Sequence, residues 1–386
     1  MLWAACVRVD LPADAPFEQV QAVAAALDGF AELLEHSSVT LGSAAFSAAG
    51  LEALARLGFS RAIERLAVMA SIRRVELLST AAQGAVLPLL PAREIERQIQ
   101  LNDRVNRSWF GDAYRPECLW PPELAASHTV AEVASAFDYT CLLVDEHSPG
   151  GRVDPWPGDE VDSLAGLPGF FLIPVSRSGS HAFTHGHLRS EKDLRTHVGA
   201  PRRPSESYLV TSVDLGTNVG DGFLRSLRAD LDLIRTVRIR DLFRDLPTDR
   251  ATPLVPGSRR ATAAELGCGL PFATWFNPKN EAQRLRWHLQ SRLLEIAETL
   301  EAEGYSALPA FGRLRSAIDA GWREAWFRGP APAAGDPLEA AADALRELNG
   351  HVSTDAVREV TESRERLRQV GPPAPGGQEP AASPLL

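Results

Sequence analysis

Two carboxylates are conspicuous for where they fall. Glu123 closes the run Trp120-Pro121-Pro122-Glu123, directly after a short strand predicted over 118–120. The two prolines restrict the backbone before it, and the Trp offers a flat apolar face of the kind that stacks on a sugar ring. Asp214 follows the strand-like run YLVTSV over 208–213, so it too lies where a strand gives way to a loop. If both strands belong to one barrel, the two acids open onto the same face, the C-terminal end where barrel active sites gather. Cleaving a glycosidic bond with retention needs such a pair, one acid as nucleophile and one as acid and then base, about 5 Å apart. Each has a plainer reading: Glu123 as a solvated turn residue, Asp214 as a turn former before Gly216. Glu117 ranks below Glu123 because it precedes the strand end, and Asp145 and Glu146 end the next strand at the rim.

Other chemistries find less support. His181, His185 and His187 carry HxxxH and HxH spacings, and on a helix the first two would share a face able to hold a divalent metal. A metal-dependent hydrolase of the deacetylase type is therefore a rival, but no Asp-Asp-Gly strand accompanies them, and Gly186 with the nearby Ser residues reads as a loop. No metal ligand set and no cofactor are expected. The chain has no G-x-S-x-G elbow, no G-x-G-x-x-G after a strand and no G-x-x-x-x-G-K-[ST], so serine-triad and nucleotide-binding sites lack their signatures. Trp275, Trp287, Trp322 and Trp326 fall at spacings that suit either substrate platforms or a helical core.

The elements that must hold these residues alternate. Residues 2–9 form an apolar strand, followed by a helix over 17–34; a strand at 39–41 and helices over 48–57 and 60–72 follow, then a strand at 75–78. Residues 91–110 read as a long helix, with Pro91 near its start and Gly111 just past its end. Strands at 140–144, 170–175 and 207–213 continue the series, with helices near 130–137 and 190–198. So many βα steps in succession point to an α/β fold, an incomplete (β/α)7 barrel of the TIM type. Beyond about residue 275 the pattern is helical only, over 280–302, 307–326, 337–348 and 355–370. The expected division is a barrel over 1–270, a C-terminal helical region over 271–370 and a disordered Pro- and Gly-rich tail over 371–386.

Composition bounds the partners. A net charge of -10 leaves no basic surplus for nucleic acid. No stretch approaches the roughly 20 apolar residues that span a bilayer, and the first ten residues do not read as a signal peptide, so a cytoplasmic protein with a carbohydrate or other neutral substrate is expected. Cys6, Cys118, Cys141 and Cys268 are scattered without a CxxC pair and are expected as buried reduced thiols.

The strings VELLSTAAQGAVLPLLPAREIERQIQLN, FGDAYRPECLWPPELAAS, LLVDE and YLVTSVDLGTN come in the order and approximate spacing of the N-terminal barrel of glycoside hydrolase family 57, which this chain resembles over roughly residues 1–290. The resemblance implies an incomplete (β/α) barrel followed by helices, and retaining action on α-glucans as a hydrolase, branching enzyme or 4-α-glucanotransferase. It implies Glu123 as nucleophile and Asp214 as general acid/base, with Trp120, Trp275 and Trp287 against the sugar. The departures are equally specific. The first strand, Cys6-Val7-Arg8-Val9-Asp10-Leu11-Pro12, lacks the family's His; a second expected His falls on Gly84; Cys118 replaces a Gly; and Gly216 and Asn218 replace a Glu and an aromatic, while Thr217 is retained. Each lost substrate hydrogen bond costs on the order of 1–3 kcal/mol. The pattern therefore also admits a catalytically degenerate relative that binds carbohydrate or a partner protein.

Overall fold

The computed structural model describes residues 1–37, 41–152, 156–199, 207–216, 220–229, 234–246, 248, 250–324, 336–348 and 350–370. They divide into two compact units, Met1–Pro271 and Phe272–Leu386. Thr217, Asn218, Trp326 and the tail 371–386 lie outside the described residues.

In the first unit, β1 (Leu2–Val9), α1 (Phe17–His36), β2 (Gly42–Phe46), α2 (Ala48–Arg56), α3 (Ser60–Ser71), β3 (Val75–Leu78), α4 (Ala92–Phe110), β4 (Cys118–Leu119), α5 (His128–Ala136) and β5 (Cys141–Asp145) follow in order. Then come β6 (Asp162–Leu164), β7 (Phe171–Val175), α6 (Arg177–His185), α7 (Glu191–Arg195), β8 (Tyr208–Asp214), α8 (Gly222–Leu227), β9 (Arg235–Thr236), α9 (Ile239–Asp245), β10 (Ala251–Thr252) and α10 (Ala263–Gly267). The second strand lies at Gly42–Phe46 rather than 39–41, of which 39 and 40 are outside the described residues.

The parallel strands run β8-β1-β2-β3 in one sheet and β4-β5-β7 in the other. A parallel bridge between Ser79 and Leu119 joins β3 to β4, and the amide of Ser176 donates to the carbonyl of Val210 at 3.0 Å between the ends of β7 and β8. The seven strands thus form a ring with two thinly bonded seams, the incomplete barrel that the alternation of strands and helices predicts. β6 runs antiparallel to the start of β7, and β10 is parallel to β6.

Strand alternation separates two cores. Trp3, Ala5, Val7 and Val9 pack outward with Leu27, Phe30 and Phe183 of the helical layer. Ala4, Cys6, Ala45, Leu78, Cys118, Trp120, Cys141, Leu143, Ile173, Tyr208 and Val210 fill the lumen, joined from α9 by Ile239 and Leu242. The cysteines differ from expectation. Cys118 and Cys141 are paired Cα partners on adjacent strands, 4.6 Å apart, and they form a disulfide, while Cys6 is a buried free thiol and Cys268 an exposed one. Separation along the chain hid a juxtaposition made by the sheet register.

The helical unit contains α11 (Glu281–Ala302), α12 (Pro309–Glu324), α13 (Pro337–Glu347) and α14 (Thr354–Val370). Asn280 starts α11 by accepting from the Gln283 amide at 3.1 Å, and Asp336 does the same for α13 through Leu338 at 3.0 Å. Trp322 is fully buried. No described helix is long and apolar enough to cross a membrane.

Candidate active site

At the C-terminal end of the ring the lumen turns from apolar to charged. Arg8 is the Cα partner of Asp214 across β1 and β8, so two residues that continue the lumen face of their strands meet side by side. The Nε of Arg8 donates to Asp214 Oδ2 at 3.0 Å, and its Nη2 contacts the same oxygen and lies 3.7 Å from Asp10. The other Asp214 oxygen accepts from the Gly216 amide at 3.0 Å. Arg8 is only 2 % exposed. Burial alone would lower its pKa, but Asp214, Asp10 and Glu123 outweigh it and hold the guanidinium charged. The replacement at 216 has a steric meaning here: a Cβ on that residue would stand 2.0 Å from the Asp10 carbonyl oxygen, so the loop after β8 approaches the loop after β1 too closely for any side chain. Gly84, where a second His was expected, suits a glycine for a different reason, its left-handed φ of +68.

Glu123 sits in a single 3-10 turn after β4, with φ 57 and ψ 18, the left-handed conformation that non-glycine residues seldom adopt. Pro121 and Pro122 fix the approach, and the Glu123 carbonyl accepts from the Arg259 amide at 3.0 Å. The strained residue is thus held from both sides.

That second support comes from a strap, residues 250–261, which the sequence reading left without an element. The carbonyl of Thr252 accepts from Ala165, that of Pro253 from Gly150 and that of Gly257 from Ala126, while the Val255 amide donates to Ser148, all at 2.8–2.9 Å. The strap therefore crosses the ends of β4, β5 and β6. Arg177, itself paired with Asp145 at 2.7 Å, donates to the carbonyls of Ser258 and Ala261 at 2.9 Å each.

From the strap, Arg259 Nε and Arg260 Nε donate to Glu123 Oε2 at 2.9 and 3.1 Å, and Arg259 Nη2 lies 3.7 Å from Asp214 Oδ2. One guanidinium therefore reaches both acids. Burial raises the pKa of Glu123, but the charges of Arg259, Arg260 and Arg8 overcome it and bring the carboxyl down to about 2. Glu146 behaves oppositely: burial raises it, only partly offset by the Arg177 amide that donates to it at 2.8 Å.

Of the residues expected at the site, Glu123, Asp214 and Trp120 come together. Trp120 is buried, and its indole lies under the Arg8 guanidinium at 5.8 Å from the ring centroid. Trp275 is buried and Trp287 half-buried within the helical unit, the latter 5.5 Å from Trp322 and 6.1 Å from Phe276 between ring centroids. Glu117 faces Arg240 at 3.4 Å, away from the strap. His181 and His185 stand 4.4 Å apart between ring centroids on α6, a helix where a loop was expected, and Ser176 caps that helix. Among the described residues no group of three His, Cys, Asp or Glu is placed to hold a metal ion. Arg8, Arg259 and Arg260, which surround these acids, stand apart from the motifs that mark Glu123 and Asp214. For Arg8 a signal existed, a lone charge in the apolar strand CVRV, since such a charge needs a buried partner. For the strap arginines there was none.

Residues 45–164 match the family model described as Glycosyl hydrolase family 57, which bears out the family resemblance over that segment. No curated protein matches the chain. Among solved structures, the 4-alpha-glucanotransferase from Thermococcus litoralis is similar at 14% identity and a TM-score of 0.68, covering 90% of this chain and 60% of its own. A family 57 branching enzyme from Thermococcus kodakaraensis aligns at 14% identity and TM-score 0.64 over 96% of each chain. The alpha-amylase AmyC from Thermotoga maritima aligns at 9% identity and TM-score 0.61, over 96% of this chain and 97% of its own. At these identities the likeness shows a shared fold. This chain spans just 60% of the glucanotransferase's length but nearly all of the other two.

Proposed function

We propose that the barrel acts on α-glucosidic bonds with retention, Glu123 attacking the anomeric carbon and Asp214 protonating the leaving oxygen, then activating water or an acceptor sugar. The observation that carries this reading is the Arg259 guanidinium, 2.9 Å from Glu123 and 3.7 Å from Asp214, which brings the two carboxylates to one end of one barrel. The similar structures, a glucanotransferase, a branching enzyme and an amylase, support the same substrate class.

The residues of this chain define what each step must overcome. Glu123 is anionic across the ordinary pH range, as a nucleophile must be, but one of its oxygens accepts from two guanidiniums. Substrate has to displace at least one of them. Arg260, 51% exposed, is the one with room to leave. Asp214 accepts hydrogen bonds on both oxygens, so carrying the proton for the leaving group requires a shift in the Arg8 pair. Trp120 serves as the floor of the site, and Trp287 remains a candidate glucan platform in the helical unit, with Trp275 more deeply buried.

The engaged oxygens of Asp214 favour a second reading, a glucan-binding relative with little or no turnover. Purified protein assayed on maltoheptaose and amylose separates the two. Hydrolysis or transfer that disappears in Glu123→Gln supports the first; tight binding without any turnover supports the second; neither binding nor turnover refutes both.

A further inference from the structure

Among the described residues, two buried polar atoms near the C-terminal end of the lumen have no hydrogen-bond partner, one over Trp120 and one level with it in the strand register. One is Nη1 of Arg8, whose Nε and Nη2 are already committed to Asp214. The other is Oγ1 of Thr80, 1 % exposed. The register places Thr80. Ser79 bridges Leu119 in parallel and sends its hydroxyl outward to Asp103 of α4 at 2.7 Å, so the next residue turns to the lumen face, level with Trp120. Arg8 reaches the same indole from β1.

Buried donors left without partners are rare because they forfeit the hydrogen bonds they made to water. Here the donors come from β1 and from the segment just after β3, at the same end of the ring and at the level of Trp120. The complementary group is an oxygen that accepts from a guanidinium N–H and exchanges a hydrogen bond with a hydroxyl. A second anion is disfavoured, because Asp214, Asp10 and Glu123 already surround the Arg8 charge. A neutral hydroxyl meets both demands.

We propose that Arg8 of β1 and Thr80, just after β3, together bind one hydroxyl of the sugar that lies against Trp120. This rests on the glucan reading above and adds to it the residues that orient the ring. Arg8 and Thr80 are substrate-binding groups in this scheme; the bond-breaking roles stay with Glu123 and Asp214.

The test measures maltoheptaose affinity by calorimetry for wild type, Thr80→Val and Arg8→Lys. Thr80→Val keeps the side-chain shape, so it folds, and it should weaken binding about tenfold, the cost of one well-placed hydrogen bond. Arg8→Lys keeps the charge beside Asp214 and should weaken binding at least as much. A series of maltosides each lacking one hydroxyl then identifies the contact: for one member of the series, wild type and Thr80→Val should bind equally. If a trapped water occupies the position instead, Thr80→Val shifts the melting temperature and leaves affinity unchanged, and the proposal fails while the glucan reading stands. If wild type binds no maltoheptaose and shows no turnover, the glucan reading itself fails. Thr80→Val alone decides the matter should Arg8→Lys not fold.

Discussion

The two ends of the barrel each bury a glutamate against arginine, and they treat it in opposite ways. At the N-terminal end Glu76 accepts from Arg240 through its Nε at 3.1 Å and its amide at 3.0 Å, with Ser43 Oγ at 3.4 Å. Burial outweighs that single cation, and the carboxyl is raised above its ordinary value. At the C-terminal end three guanidiniums act on Glu123 and drive it down to about 2. A barrel bottom needs a glutamate only to tie α9 to the strands, and one partner is enough. On the proposed reading, an oxygen that stays charged while part of its surroundings is exchanged for substrate needs a surplus of positive charge, which the strap and Arg8 supply.

The largest expected effect is on chemistry: Glu123→Gln should lower turnover on maltoheptaose by on the order of a thousandfold or more while leaving the fold intact. The corresponding change at the other end, Glu76→Gln, should leave kcat within a small factor, and a comparable loss there would erase the functional distinction between the ends. Next comes Arg8→Met. It leaves Asp214 buried without its main partner, and urea unfolding should show a loss of about 3–5 kcal/mol.

The pH dependence has opposite signs at the two ends. Glu123 has its folded-state pKa depressed, so its contribution is present above the unfolded carboxylate value and is lost as pH falls towards 2; about two pH units amount to roughly 3 kcal/mol. Glu76 has its pKa raised, so its ionisation costs stability as pH rises from the unfolded value through the folded one. Unfolding free energies measured from about pH 2 to pH 7 should therefore fall less steeply in acid for Glu123→Gln and decline less on the rising side for Glu76→Gln. Equal slopes in the two variants would contradict the comparison. The smallest effect belongs to Arg260→Ala. Half-exposed and one of several cations, it should change stability by less than about 1 kcal/mol, and its measurable consequence should be faster or tighter engagement of glucan, seen in KM.

Much of this architecture was written locally. Pro91 and Gly111 bracket the helix Ala92–Phe110 as the sequence indicates, and the strands ending at Asp145, Val175 and Asp214 fall within a residue or so of their predicted limits. That Asp214 ends a strand was legible from the apolar run before it, and Glu123 and Trp120 stood out through the prolines between them. What escaped was non-local. Arg259 lies 136 residues from the acid it binds, in a strap whose backbone bonds to the loops after β4, β5 and β6 replace any periodic signal. The disulfide between Cys118 and Cys141 depends on a register that neither cysteine specifies alone. α6, capped by Ser176 and closed by left-handed Gly186, was mistaken for a loop because small residues dominate it. Single strands of two or three residues, such as β6, β9 and β10, are too short to show a period.

The seams of the ring carry one more consequence. Arg8 and Asp214 belong to the arc β8-β1-β2-β3, with Thr80 just after β3, whereas Trp120, Glu123 and Arg177 follow strands of the arc β4-β5-β7; the arcs share one packed core, but between their strands the backbone ladder thins to a bridge at Ser79 and a hydrogen bond at Ser176. The two acids proposed for catalysis thus stand on opposite sides of these seams within one compact unit. The gap between two carboxylates decides whether a glycosidase retains or inverts the anomeric configuration. If the proposed reaction is right, a substitution near Ser79 or Ser176, remote from either acid, is where that gap would be tuned.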